Sequence, residues 1–300
     1  MAVSAADVKA LRERTGAGMM DCKAALEAAG GRIEDAITYL REKGLAVAAK
    51  RSGRVAAEGT IVVRHPGPAS GILLELNCET DFVAKTPQFA ELADLIASAV
   101  EQAPGLRGVG DAESFGIAGL PAGAGRTVAD AVADRVASMG ENVVVRRAAR
   151  FEPGEAQGVV ASYVHGGGKI GVLVEARTGA SGGAREQVIA LLRDLAMQIA
   201  AANPRWTRRE EVPAAELERE RGIFRTQALE SGKPAPVIER IVAGKVEKFY
   251  GEACLLEQPF IRDGDKTVGK LVEEAVGKIG TPIEIAAFVR FQLGESAAEA

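Results

Sequence analysis

Histidine is almost missing from this 300-residue chain: His65 and His165 are the two it has, and cysteine stops at Cys22, Cys78 and Cys254. An odd number of cysteines, far apart in sequence, argues against a disulfide framework, and no Cys/His cluster has the spacing of a zinc site. No Cys-His or Ser-His-Asp constellation is evident, so the chain does not read as an enzyme, and neither a metal nor another cofactor is expected. Thiols that stay reduced fit the cytoplasm. The sequence also lacks any apolar run approaching the roughly 20 residues that cross a bilayer. Met1–Ala10 carries no apolar core of signal-peptide length, so neither a membrane span nor a leader is expected. A basic excess is missing too: 37 Lys and Arg face 41 Asp and Glu, a net charge of −4. Dedicated nucleic-acid binders carry the opposite balance, which favours a protein partner over bare RNA.

What is present is a globular composition, 47% hydrophobic and 26% charged, with length enough for two or three domains that bury their own cores. The fold class expected is α+β. Residues 1–44 read as three short helices. Ser4 with Asp7 three positions on makes a capping box, Gly30 and Gly31 part the second helix from the third, and Gly44 ends the third. Residues 45–57, small and basic around Ala48-Ala49-Lys50-Arg51, read as a solvated linker, with a partly helical path open as an alternative, that lets the bundle sit apart.

A weak internal repeat follows. Gly59-Thr60-Ile61-Val62-Val63-Arg64-His65 aligns with Gly158-Val159-Val160-Ala161-Ser162-Tyr163-Val164-His165, and each leads into a second apolar run, Gly71-Ile72-Leu73-Leu74-Glu75 or Gly171-Val172-Leu173-Val174-Glu175. Two hairpins, each followed by an amphipathic helix, make two related α+β subdomains with antiparallel sheets. Thr86 caps the first of these helices and Pro87 takes its first position. The first subdomain spans residues 58–140, and residues 103–126, rich in Gly, Ala and Pro, read as a mobile loop within it. The second spans 141–204 and 252–300, opening on the strand Val143-Val144-Val145-Arg146-Arg147. Ile283, Ile285, Ala287, Val289, Phe291 and Leu293 alternate as its last strand. Residues 205–251, inserted in the second subdomain, read as an antiparallel helical hairpin parted by Ser231-Gly232-Lys233-Pro234. Its coiled-coil-like seam is expected at Leu217, Phe224 and Ala228 against Val237, Ile241, Val242 and Phe249.

The run Gly166-Gly167-Gly168-Lys169-Ile170 invites comparison with a phosphate loop, but Ile170 stands where Walker A needs a hydroxyl, and the run joins two strands. More informative is Asn77-Cys78-Glu79-Thr80-Asp81-Phe82-Val83-Ala84-Lys85, which follows an apolar strand. An aromatic beside a carboxylate at a strand-to-helix turn can project as a wedge. Taken alone, Phe82 reads as core and Asp81 as a helix-start carboxylate. Near the start, Leu11-Arg12-Glu13-Arg14-Thr15-Gly16-Ala17-Gly18-Met19-Met20-Asp21-Cys22-Lys23 presents two methionines behind two glycines. Adjacent positions cannot both face one small core, so one methionine stays available, and methionine suits adaptable protein surfaces.

Together the two motifs closely resemble the bacterial translation elongation factor Ts family, nucleotide exchange factors of the GTPase elongation factor Tu, and the likeness extends through most of the chain. The resemblance implies a ubiquitin-associated (UBA-like) type of three-helix bundle, and a hairpin that serves self-association in some members. A homodimer, two copies with two of the GTPase, is one implied assembly. It also implies that Thr80, Asp81, Phe82 and Val83 meet the partner's nucleotide domain, with the Phe82 ring entering a gap between its helices. Thr80 and Val83 would hold the turn in shape. Arg12, Met19 and Met20 are assigned to docking on the GTPase, and His165 with Gly166 to another of its domains, whereas His65 has no match and reads as structural. The partner would be met both GDP-bound and nucleotide-free, its magnesium and phosphate site disturbed without any covalent change. The chain stops soon after Gly294-Glu295, so the C-terminal helical segment that some members carry to the GTPase is expected to be missing. Two rival readings stand beside this one. A ubiquitin-like-protein-binding adaptor would use the bundle and leave Asp81-Phe82 unexplained; a ribosome or RNA binder would rest on Arg146-Arg147 and the basic segment 45–57.

Overall fold

Three helices open the chain: α1 (Ala5–Thr15), α2 (Met19–Ala28) and α3 (Ile33–Arg51). The Ser4–Asp7 capping box satisfies the first amides of α1, and Gly16, at φ 68°, ends it in the left-handed conformation that suits glycine. Val8, Leu11, Cys22, Ala25, Leu26 and Ala36 form the small core between them. The computed structural model describes residues 3–67, 69–103, 105–154, 157–230 and 234–295.

Gly44 does not end the third helix, and residues 45–51 are not a linker. Helix α3 continues to Arg51 because its second half lies on α6 (Val128–Met139). Gly44 is buried there, close to Ala133 and Ala137. Arg41 pairs with Asp130 at 2.6 Å, and Arg51 Nη1 donates to the Val136 carbonyl at 2.7 Å. A mid-helix glycine costs about 1 kcal/mol; close helix packing keeps the helix running through it, and the bundle is anchored.

The first sheet has the order β1-β2-β4-β3, from β1 (Glu58–Gly67), β2 (Ser70–Cys78), β3 (Gly108–Asp111) and β4 (Val143–Phe151). The strand from Val143 therefore belongs to the first sheet, antiparallel to β2, and the boundary expected after residue 140 falls one strand early. Helix α4 (Asp81–Ala84) and helix α5 (Pro87–Gln102) follow β2; Thr86 caps α5 and Pro87 opens it, as expected. Ile72, Leu74, Leu76, Phe89, Leu92, Ile96 and Val136 fill the core between this sheet and its helices. The glycine-rich stretch expected to be a loop is structured among its described residues. Its β3 pairs with β4, Ile117 is fully buried, and Arg150 Nη1 donates to the carbonyls of Val100, Glu101 and Ala103 at 3.0–3.1 Å, closing the end of α5.

The second sheet is β5 (Gly158–His165), β6 (Ile170–Arg177) and β9 (Glu284–Gln292), in that order, all antiparallel. The alternating C-terminal segment thus completes the sheet to which it was assigned. Helix α7 (Gly182–Ala202) and helix α10 (Val268–Ile279) cover its outer face, and a short ribbon of β7 (Pro259–Phe260) and β8 (Asp263–Thr267) leads into α10. The inner faces of the two sheets pack together through Ile61, Leu73, Phe151, Val160, Leu173 and Phe291. The repeat is legible in this contact. A Cβ on Gly71 would meet Val160 Cγ1 at 2.7 Å, and one on Gly171 would meet Ile61 Cγ2 at 2.5 Å. His65 bridges the halves, with Nδ1 2.9 Å from the Ser70 carbonyl and Nε2 2.8 Å from Ser162 Oγ. A buried ion pair joins them as well: Arg147 donates to Glu75 at 2.7 Å and to the Gln292 carbonyl at 3.1 Å, and Glu75 accepts from Gly294 N–H at 3.0 Å.

Helices α8 (Ala214–Leu229) and α9 (Ala235–Ala253) pair along their length. Their seam is Ala228, Ile238, Val242 and Val246, with Leu217 and Phe224 against it. Val237, expected in the seam, is exposed, and Phe249 instead faces Trp206, ring centroids 6.1 Å apart. Residues 231–233 of the expected Ser231-Gly232-Lys233-Pro234 turn lie outside the described residues. Among those described, no helix is long and apolar enough to cross a membrane.

Candidate functional site

Strand β2 ends at Cys78, and the chain turns at once into α4. Thr80 starts that turn, with Oγ1 accepting from Val83 N–H at 3.4 Å. Glu141, just past the end of α6, grips the same residue with both oxygens. Thr80 N–H donates to Oε2 at 3.0 Å and Thr80 Oγ1 to Oε1 at 2.6 Å. Next to it, Asn142 N–H donates to Glu79 at 2.7 Å and Asn142 Nδ2 to the Arg54 carbonyl at 2.8 Å. Cys78 Sγ donates to the Thr80 carbonyl at 3.1 Å; burial, foremost, pushes the thiol up to about 12, so it stays protonated in this role. Sequence reasoning missed Glu141, and no local signal marks it, because the clamp spans 61 residues of chain.

On this braced turn Val83 and Ala84 pack onto the first core, and the Phe82 side chain points away, 81% exposed. A ring left in water this completely, among neighbours held in place, is the opposite of the core position that Phe ordinarily takes. Asp81 is partly exposed and pairs with Lys85 at 2.6 Å. The Lys85 hydrogen bond, chiefly, holds its carboxyl below the usual range, and the charge of Lys169 adds to this. That lysine closes the β5–β6 turn, so the second repeat's turn and α4 lie close enough to feel each other. Ile61 N–H donates to the Gly168 carbonyl at 2.8 Å, seating the turn on β1, against which α4 also packs. Gly166, Gly167 and Gly168 have φ of 61°, 66° and 96°, a path that requires glycine. His165 is exposed at its start, its Nδ1 3.0 Å from the Tyr163 hydroxyl.

Arg12, Met19 and Met20 come together elsewhere, on the N-terminal bundle. They line an apolar groove of about 560 Å³ with Val8, Lys9 and Lys23. Both methionines are exposed, Met19 by 60% and Met20 by 74%, where the packing argument alone required only one to be available. Cys22, Ala25 and Leu26 fill the inner face of α2 and leave no room for either. Among the described residues no group of three or more His, Cys, Asp or Glu could hold a metal ion.

Projecting apolar side chains on braced supports, at two places on one framework, define a protein built to engage another protein. Comparison with known proteins makes the class specific. Residues 79–295 match the model of the family described as Elongation factor TS. The chain is 48% identical to elongation factor Ts of Syntrophotalea carbinolica over 295 residues, covering 98% of this chain and 94% of the relative. It is 46% identical to elongation factor Ts of Clostridium botulinum (strain Eklund 17B / Type B), over 98% and 93% of the two chains, and 46% identical to that of Rhodospirillum rubrum, again over 98% and 93%. The chain belongs to the elongation factor Ts family, and with it to the nucleotide exchange factors of translation elongation.

Proposed function

We propose that this protein binds the GTPase elongation factor Tu and accelerates GDP release by pressing the Phe82 ring into its nucleotide domain, disturbing the magnesium and phosphate site without covalent chemistry. The observation that carries the reading is the 81% exposure of Phe82 on a turn clamped by Glu141. Exchange requires a ligand that prefers the partner with its nucleotide contacts weakened, because an equilibrium shifts only through differential affinity. A bulky ring whose support cannot yield transmits its insertion to the partner. Asp81 adds a polar contact beside the ring, and Thr80 and Val83 keep the turn in register. Arg12, Met19 and Met20 form the docking groove, and His165 with Gly166 meets a further domain of the partner. The protein works in the cytoplasm, on the GDP-bound and nucleotide-free GTPase alike. Ile223, Leu229 and Val237, exposed on the helical hairpin, suit self-association into a homodimer.

Three of the basic residues on which an RNA reading rests are engaged within the molecule. Arg147 is buried in its pair with Glu75, Arg146 donates to the Glu295 carbonyl, and Arg51 to that of Val136. An adaptor for ubiquitin-like proteins leaves the Phe82 turn without a use.

Stopped-flow release of fluorescent GDP from elongation factor Tu tests the proposal. Burying a Phe ring contributes about 2–3 kcal/mol, so Phe82→Ala is expected to slow release at least about ten-fold. Its melting temperature should not change, since the ring covers nothing in its own chain. An unchanged release rate removes Phe82 from the mechanism.

A further inference from the structure

Among the described residues, the two most exposed large apolar side chains are Val55, at 83%, and Phe82, at 81%. A single apolar side chain on a surface is ordinary and carries no meaning by itself. These two, however, are held by consecutive residues of one support. Glu141 grips Thr80 at the start of the Phe82 turn, and Asn142, buried and next in the chain, grips the segment that carries Val55.

Residues 52–57 join α3 to β1 without helix or strand of their own. They are nonetheless tied down. Arg54 N–H donates to the Arg51 carbonyl at 2.9 Å, and Arg51 is itself bonded to Val136. Asn142 Nδ2 donates to the Arg54 carbonyl at 2.8 Å. Arg54 Nη1 in turn reaches Glu79 Oε1 at 3.4 Å, the same oxygen that accepts from Asn142 N–H at 2.7 Å. The Asn142 amide, chiefly, holds the Glu79 carboxyl below its usual range, and the charge of Arg54 adds to this. Glu79 so bridges the two segments, because its own chain runs straight on into Thr80, Asp81 and Phe82. Strand β1 starts at Glu58, opposite Cys78 at the end of β2. The Val55 segment therefore enters, and the Phe82 turn leaves, at the same end of the first sheet.

We infer, on the reading of Phe82 as the exchange contact, that Val55 is a second apolar contact with the nucleotide domain of the GTPase, and that Asn142 is a positioning residue that sets it in register with Phe82. Valine has one stiff side-chain torsion, so burying it against a partner from a tied backbone loses little ordering entropy. The occupant is the surface that Phe82 meets, since both side chains rest on Glu141-Asn142. A second copy of this chain has its own apolar side chains, Ile223, Leu229 and Val237, on the helical hairpin.

Two measurements on the full chain test this assignment. Cys22, Cys78 and Cys254 are buried, so Val55→Cys supplies a thiol that maleimide reaches first. Label on this chain, read by mass spectrometry, is expected to form more slowly in proportion to the fraction bound to nucleotide-free elongation factor Tu. Lys278→Cys, exposed at the end of α10, keeps its rate. In stopped-flow release of fluorescent GDP at limiting factor, Val55→Ala is expected to slow release about five-fold, the scale of two buried methyl groups. Its melting temperature stays unchanged, since Val55 is almost wholly in water. Asn142→Ala slows release by a similar factor, and combining it with Val55→Ala adds almost nothing, a coupling that a merely structural role would not produce. Thermal melting checks that Asn142→Ala folds; where it does not, the two Val55 variants decide. Labelling that the GTPase leaves unslowed, or release unchanged by Val55→Ala while Phe82→Ala slows it, overturns the assignment and leaves the exchange reading standing. Release unchanged by both variants overturns the two together. Labelling that slows when the chain alone is concentrated places Val55 between copies and also overturns the assignment, and additive losses from Asn142→Ala and Val55→Ala remove Asn142 from it.

Discussion

At Glu141 a single carboxylate holds the Phe82 turn in one shape. It takes both donors of Thr80 at 3.0 and 2.6 Å; without it the Thr80 amide loses its acceptor, and the hydroxyl keeps only its 3.4 Å bond from Val83 N–H, while the Thr80 carbonyl still accepts from Cys78 Sγ and Ala84 N–H. Each lost hydrogen bond costs about 1 kcal/mol of stability, but the larger effect falls on the ring that the turn carries. Glu141→Ala is expected to slow GDP release about ten-fold while lowering stability by only about 1–2 kcal/mol. Combined with Phe82→Ala it should add almost nothing further, because residues that act as one unit are not additive. Stopped-flow rates for the two single variants and the double variant close the cycle; additive losses would show that Glu141 does not act through Phe82. The motif around Phe82 was legible in the sequence, but its exposure was not. Phe and Val both read as core, and only the packing of Val83, Ala84 and Phe89 on the first core leaves Phe82 outside. The same holds for Met19 and Met20, whose shared exposure depends on how completely Cys22, Ala25 and Leu26 fill a very small interior.

Elements whose signals are local were the readable ones. The Ser4–Asp7 box, the Thr86-Pro87 start of α5, both hairpins and the alternating last strand all stand where pattern and capping chemistry put them. Elements decided by distant partners were not. Val143–Phe151 has a strand's composition, yet nothing in it says which sheet it joins, and Gly44 breaks a helix by propensity while sitting inside one. The junction of α3 with α6 that overrides Gly44 has a titratable centre. The Thr127 amide, chiefly, with Arg41 next, lowers the Asp130 carboxyl from 3.8 to about 2. A carboxyl lowered by folding stabilises the folded state above its unfolded value, and that contribution is lost as pH falls through the folded one. Asp130→Asn removes the charge at every pH. The difference in melting temperature between the natural protein and Asp130→Asn should therefore narrow as pH drops from about 4 to about 2. A difference that stays constant over that window would mean that the ion pair with Arg41 does not hold α3 in place.

Across the whole molecule, the two inner sheet faces, the Glu75–Arg147 pair and the α3–α6 junction tie the two exposed apolar sites to one framework. Such a framework can divide labour between them, and the division has a thermodynamic signature. A contact made equally in both states of a partner strengthens binding without shifting its equilibrium, whereas a contact made in one state alone supplies the coupling. Met19 and Met20 lie on a separate bundle, in a groove that shares no lining residue with the Phe82 turn, and so belong to the first kind. Met19→Ala with Met20→Ala is expected to weaken binding to GDP-loaded and nucleotide-free elongation factor Tu by the same factor, about ten-fold or more for two buried thioether side chains. Phe82→Ala should instead weaken binding to the nucleotide-free form preferentially, shrinking the ratio of the two affinities. By reciprocity the expulsion of the factor by added GDP shrinks with it. Calorimetry on both forms of the GTPase separates the two behaviours. If the methionine variant changes the ratio and the phenylalanine variant does not, the bundle drives exchange, and the turn at Thr80 is a docking contact.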